Sequence, residues 1–173
     1  MPFVSADSLQ TLSRESKVLV ALTDRVGDAL FRTPAIRVLA RNYPHIRFDA
    51  LTFGKGAQTV LSQHPDIVGV HMHTHKRTIA DLAKNYDLII NTRSSNLRRY
   101  LSKVQVPILQ HQRIDRQAHK TEDLLRFIQT LLPRHSALNP DDRTYILPVD
   151  TGIHKRLEQR LVGQYGLNSN EHR

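Results

Sequence analysis

One stretch near the start of the chain constrains the fold more than any other. The run KVLVAL at positions 17–22 carries no charge after its first residue, the turn TDRVGD at 23–28 is polar with a single glycine, and apolar residues at helical spacing follow. A short unbroken apolar run rich in β-branched residues is the pattern of a strand buried on both faces of a parallel sheet. Leu30, Ile36, Leu39 and Ala40, with Arg32, Arg37 and Arg41 between them, predict an amphipathic helix. Pro34 interrupts that pattern, so Thr33 is expected as N-cap with Pro34 in the first turn, which leaves Asp28 in a short turn of its own. Open α/β sheets bind ligands at the carboxyl ends of their strands, which makes the turn at 23–28 the place to look for chemistry.

The same rhythm continues along the chain. Strands are predicted at 46–52, 67–70, 87–91, 106–109 and 145–147. Helices are predicted through Val60 and Leu61, at 78–84, at 96–103, at 119–132 and from Ile153 through Leu157 and Leu161 to Tyr165. Pro107 argues for a strand start or a sheet edge. Strands alternating with helices predict an α/β, Rossmann-like parallel sheet with helices on both faces. The expected organisation is a flexible segment at 1–16, a Rossmann-like domain at 17–150 and a terminal helix and tail at 151–173.

With 173 residues and no cysteine, the chain is about one domain long and its core must form without disulfides or thiolate metal sites. No run of ~18 apolar residues occurs, and residues 1–16 lack an apolar stretch behind a basic start. A cytoplasmic protein is expected. The net charge of +9 favours anionic partners. Between Arg93 and Arg134 nine basic residues face three acidic ones, so six of the nine net charges fall in a quarter of the chain. Nucleic acid is disfavoured as a partner, because five Phe and five Tyr with no Trp accompany no recognised nucleic-acid motif.

Read from the residues alone, Asp28 could be a catalytic carboxylate or an ordinary acidic residue in the first turn of a helix. Gly27 is expected to permit a close backbone approach or a positive φ. Asp24 is expected to pair with Arg25 or to cap the loop. Arg93, Arg98, Arg99, Arg113, Arg116 and Lys120 offer an anion-binding groove or merely solvated helix faces. His71, His73 and His75 alternate as metal ligands on one strand face would, but no carboxylate lies at useful spacing and no metal site is assigned.

The segment from Thr23 to Arg37, D-R-V-G-D followed by T-P-A-I-R, resembles the opening motif of the lipopolysaccharide heptosyltransferases of glycosyltransferase family nine. Tyr43-Pro-His45, His64-Pro-Asp66, Tyr86-Asp-Leu-Ile-Ile90 and His119-Lys-Thr-Glu-Asp-Leu-Leu125 follow in the family's order, so the similarity spans about residues 17 to 165. It implies the N-terminal domain of a glycosyltransferase-B fold. It implies metal-independent, inverting transfer from a nucleotide-sugar donor such as ADP-heptose to the lipopolysaccharide inner core, without a cofactor. It assigns Asp28 as the general base and points to Arg25, Gly27, Arg93, His119 and Lys120 as contacts for an anionic glycolipid acceptor. Peripheral contact with the inner membrane is implied, and the donor is expected on a C-terminal half beyond this chain, which alone is expected to be inactive. The family's acid-x-Gln-Gly turn is replaced by Asn91-Thr-Arg-Ser94, so acceptor recognition is expected to differ. The alternative is a non-catalytic Rossmann-like module that binds anions or other ligands.

Overall fold

The structure, a computed structural model, describes residues 6–22, 25–72, 76–92, 104–112 and 117–145, together with Leu97, Leu101 and Gln159. The apolar run becomes β1 (Lys17–Ala21), whose residues after Lys17 are all buried. It is joined by β2 (Arg47–Thr52), β3 (Gly69–Met72), β4 (Leu88–Asn91) and β5 (Ile108–Gln110) in a parallel sheet of order β3-β2-β1-β4-β5. β1 lies at the centre. Val18 stands between Phe48 of β2 and Leu88 of β4, and the register carries on to Ala21 between Leu51 and Asn91.

Alternation along these strands divides the core in two. Val18, Val20, Phe48, Ala50, Leu88 and Ile90 face α2 (Thr33–Asn42), α3 (Lys55–Leu61) and α5 (Lys120–Leu131). Leu19, Ala21, Leu51 and Ile89 face the other side, where Ile79 and Ala83 of α4 (Lys76–Ala83) pack with Leu97, Leu101 and Val104. Helices thus cover both faces, as a parallel sheet requires. Fully burying each Leu or Ile in these layers contributes roughly 1.5–3 kcal/mol.

The first predicted helix is two helices. A five-residue α1 (Val26–Leu30) ends at Phe31, and α2 begins at Thr33 with Pro34 in its first turn. Pro34 has no N–H to donate, so it fits where helical N–H groups are unsatisfied anyway. The cap position falls to Arg32 rather than Thr33, because the Thr33 hydroxyl donates instead to the Leu30 carbonyl at 2.8 Å and draws Thr33 into the helix. β3 starts at Gly69, two residues later than the pattern suggested. The Ile67 N–H is turned back onto the His64 carbonyl at 3.2 Å, so residues 64–67 form a turn and ladder pairing begins only when Val68 donates to Phe48. β5 starts just after Pro107, whose carbonyl accepts from Ile89 at 3.0 Å.

Tyr145 lies outside any strand, while residues 146–150 and the predicted terminal helix, apart from helical Gln159, fall outside the described residues. Residues 139–145 instead form a strap along α2 and α5, with one 3-10 turn at Pro140–Arg143. The strap is held by charge. Arg37 donates to the carbonyls of Asp141 and Thr144 at 2.7 and 2.8 Å, Arg41 forks onto Asp142 at 2.5 and 2.9 Å, and Arg143 reaches Glu122 at 3.0 Å. Burial alone would raise the pKa of Asp142, but the bonds from Arg41 and from the Asn139 N–H outweigh it and leave the carboxyl below its usual value. The native carboxyl therefore binds its proton less readily than the unfolded one. Its contribution to stability is complete above the unfolded value near about 4 and is lost as pH falls through the lower native value. Asp142→Asn should cost about 1–3 kcal/mol at pH 7 and flatten that acid limb. Melting curves from pH 7 down to pH 3 check both effects, and an unchanged midpoint at pH 7 would show that the strap does not depend on this pair.

Candidate functional site

The chain runs outward from β1 to β2 and β3, then returns to place β4 on the other side of β1. The residues that follow β1 and β4 pack on opposite faces of the sheet, α2 on one and Leu97 and Leu101 on the other. This is the switch point at which open α/β sheets form their binding crevice. Asp28 stands beside it, in the first turn of α1. From the other direction β5 leads to α5, whose first residue is Lys120, and Lys120 Nζ lies 2.5 Å from Asp28 Oδ1. Two sequence-nominated residues 92 positions apart thus form an ion pair, with the carboxylate side chain 17% exposed and the ammonium side chain 50%.

His119 caps α5, its Nδ1 accepting from the Thr121 N–H at 3.3 Å. Its ring meets Phe31 edge-on with centroids 4.9 Å apart. His119 therefore combines capping with a place in the site. Arg25 is exposed at the start of α1, where its carbonyl accepts from the Ala29 N–H at 2.9 Å. Gly27 departs from expectation. Its φ is not positive, and beyond its own helix and chain neighbours nothing lies within 4 Å of where a Cβ would stand. The close approach belongs to Gly56 in α3, where an added Cβ would fall 2.3 Å from Val26 Cγ2. Asp24, Arg93, Arg98, Arg99, Arg113 and Arg116 lie outside the described residues.

A more buried polar layer that the sequence pattern did not nominate lies at the same end of the sheet. Arg32 donates to both the carbonyl and the hydroxyl of Thr92 at 2.7 Å, and that hydroxyl donates to the Ala21 carbonyl at 2.8 Å. The junction of α1 and α2 is thereby tied to the ends of both β4 and β1. His111, just past β5, sets its Nε2 3.0 Å from Asp123 Oδ2. Burial lowers the pKa of His111, the Arg32 charge adds to that, and Asp123 opposes it. Asp123 did leave a trace in the sequence, since it is a carboxylate beside the inward stripe of Leu124, Leu125 and Ile128. Arg32 left none, because an arginine between apolar helix positions has the pattern of a solvated face.

The remaining nominated groups are structural or lie elsewhere. His71 Nε2 is 2.8 Å from Tyr86 Oη, which donates to the buried Asp49 at 2.8 Å, far from the switch point on the α4 face. His73 and His75 lie outside the described residues, and among those described no group of three or more His, Asp or Glu residues could hold a metal ion. His64-Pro-Asp66 is a turn in which the Asp66 N–H donates to His64 Nδ1 at 3.2 Å. Among the described residues no helix is long and apolar enough to cross a membrane.

Comparison with known proteins bears on the fold. No family model and no curated protein sequence matches the chain. Solved structures do. A glycosyl transferase family 9 protein from Veillonella parvula superposes with a TM-score of 0.67 at 15% identity over 90% of this chain and 51% of that one. The E. coli heptosyltransferase WaaC, solved with ADP, gives 0.54 at 18% identity over 68% and 49%. E. coli ADP-heptose lipopolysaccharide heptosyltransferase II gives 0.54 at 17% identity over 88% and 51%. What is shared at these identities is the fold. The chain spans about half the length of each of these structures.

The electrostatics of the lower layer can be read directly. His111 should titrate below the ordinary histidine value of about 6.5, and so remain neutral at pH 7. Replacing the Arg32 charge by Arg32→Met should move the titration upward, and Asp123→Asn should move it further down. Ring 1H–13C spectra followed against pH measure all three. An upward shift with Asp123→Asn would contradict the arrangement.

Proposed function

We propose that this chain is the acceptor-binding half of a glycosyltransferase of the heptosyltransferase type, with Asp28 as general base. The observation that carries the proposal is the Asp28–Lys120 pair at the switch point of a sheet whose fold is shared with glycosyltransferase family 9 structures. In an inverting transfer the acceptor hydroxyl attacks the anomeric carbon of the donor while Asp28 takes its proton. The bond from that carbon to the diphosphate breaks, and the diphosphate leaves with the electron pair. Lys120 holds the carboxylate in place before acceptor arrives and supplies a cation for an acidic acceptor group once the hydroxyl has taken its position.

The donor on this reading is a nucleotide sugar, ADP-heptose by the resemblance, bound by a second half with which this chain forms the cleft. The acceptor is an anionic glycolipid of the lipopolysaccharide inner core, met at the cytoplasmic face of the membrane. Arg25, His119 and the basic residues between Arg93 and Arg134 supply its anion contacts, and the net charge of +9 supports that choice. Chemistry of this kind needs no metal from this domain. A second reading, a binding module without activity, draws on the same ion pair, which satisfies Asp28 without any substrate.

The test joins this chain to a donor-binding half and compares Asp28 with Asp28→Asn. Asn keeps the shape but cannot accept the proton, so turnover should fall by about 10²–10⁴-fold. Losing the partly exposed pair with Lys120 should cost about 1 kcal/mol or less, so melting should barely move. Near-normal turnover in Asp28→Asn would remove Asp28 from the mechanism, whereas no turnover with native Asp28 in the joined protein would favour the binding-module reading.

A further inference from the structure

Three rings gather at the elements that carry the Asp28–Lys120 pair and have no part in the proton transfer. Phe31, at the end of α1, meets His119 at 4.9 Å with the ring planes 78° apart, and Tyr145 of the strap at 5.8 Å and 54°. They come from three separate elements and converge beside Asp28, three residues before Phe31, and Lys120, next to His119. Tyr145 is 41% exposed and His119 is also exposed, so the cluster reaches the surface. Gly27 lies one helical turn before Phe31 on the same side of α1, where the space over the missing side chain is open.

The rims of these rings are polar. His119 Nδ1 accepts from Thr121, so the neutral ring carries its proton on Nε2, and Tyr145 Oη is 3.2 Å from Thr121 Oγ1. Apolar faces with polar edges complement a molecule that itself has apolar C–H faces and a rim of hydroxyls, which describes a pyranose ring. An acyclic polyol has the hydroxyls without the flat face.

We propose that Phe31, His119 and Tyr145 form a stacking subsite for a pyranose ring of the acceptor, placed so that a hydroxyl of that ring reaches Asp28. The inference rests on the transferase reading for the identity of the acceptor, but the stacking itself requires no transfer. The direct test uses the chain with 13C-labelled aromatic residues and methyl β-D-glucopyranoside as probe, with sorbitol as the acyclic control. The His119 and Tyr145 ring signals should shift with the glycoside at concentrations on the order of 10 mM and stay in place with sorbitol. Tyr145→Phe keeps the ring and should bind within about threefold of the native chain, whereas Tyr145→Leu, apolar but without an aromatic face, should bind about tenfold more weakly. Equal shifts with sorbitol, no shifts at all, or equal binding by the Phe and Leu variants would overturn the subsite.

A second measurement separates this from the transferase reading. In the joined two-half enzyme Tyr145→Leu should raise KM for acceptor with kcat little changed. An unchanged KM would sink the subsite while leaving Asp28 as base. Stacking seen by NMR in an enzyme indifferent to Asp28→Asn would support the subsite and sink the catalytic assignment instead.

Discussion

Everything in this domain is referred to β1. It is the central strand of five, so its backbone groups are spent on β2 and β4 and its side chains on two separate cores. A strand in that position has no local motion that leaves its contacts intact, because packed interiors do not deform continuously. Its carboxyl end is consequently a firmly held platform. Loops that start there can carry chemistry because the scaffold under them does not move.

Arg32 transmits that stiffness to the candidate site. It sits one helical turn after Asp28 and grips Thr92, which in turn grips Ala21, so α1 is anchored to the two strands that flank the switch point. A guanidinium suits this task because its donors are fixed in a plane, and two of its bonds here converge on one residue. The site thus has two storeys: a lower one of Arg32, Thr92, His111 and the buried Asp123, and an upper, more exposed one of Asp28, Lys120 and the aromatic rings. Arg32 and Thr92 in the lower storey are confined by the bonds they make, since burying such groups unpaired is costly. Those above remain accessible to an incoming molecule.

Much of this architecture was legible in the residues because burial on two faces leaves a strong mark. KVLVAL and DLII carry the pattern of interior parallel strands, and the stripe from Leu124 to Leu132 that of an inward helix face. The places that misled share a cause. Thr33 passed for a cap because helix starts are read from side chains that accept bonds, whereas here its hydroxyl donates to Leu30. Gly27 passed for a close-approach residue because glycine signals either close contact or unusual backbone, and in α1 it does neither while Gly56 provides the contact. The pairing of Asp28 with Lys120 was invisible for a different reason. Both were nominated, but a contact between residues 92 positions apart is a property of the sheet order rather than of any local pattern.

The strap adds one more consequence of that order. Residues 139–145 are fastened by Arg41 at the last turn of α2 and by Arg37 further up the same helix, then deliver Tyr145 to Phe31 beside the Asp28–Lys120 pair. Seven residues therefore connect the amino side of the sheet to the site at its carboxyl edge. Because Arg37 binds carbonyl oxygens rather than side chains, the path of the strap follows from backbone geometry and tolerates sequence change at Asp141 and Thr144. Asp142 is different, since its carboxylate both receives Arg41 and caps the Asn139 N–H. The strap thus sets Tyr145 against Phe31 through a path clamped at Arg37 and Arg41.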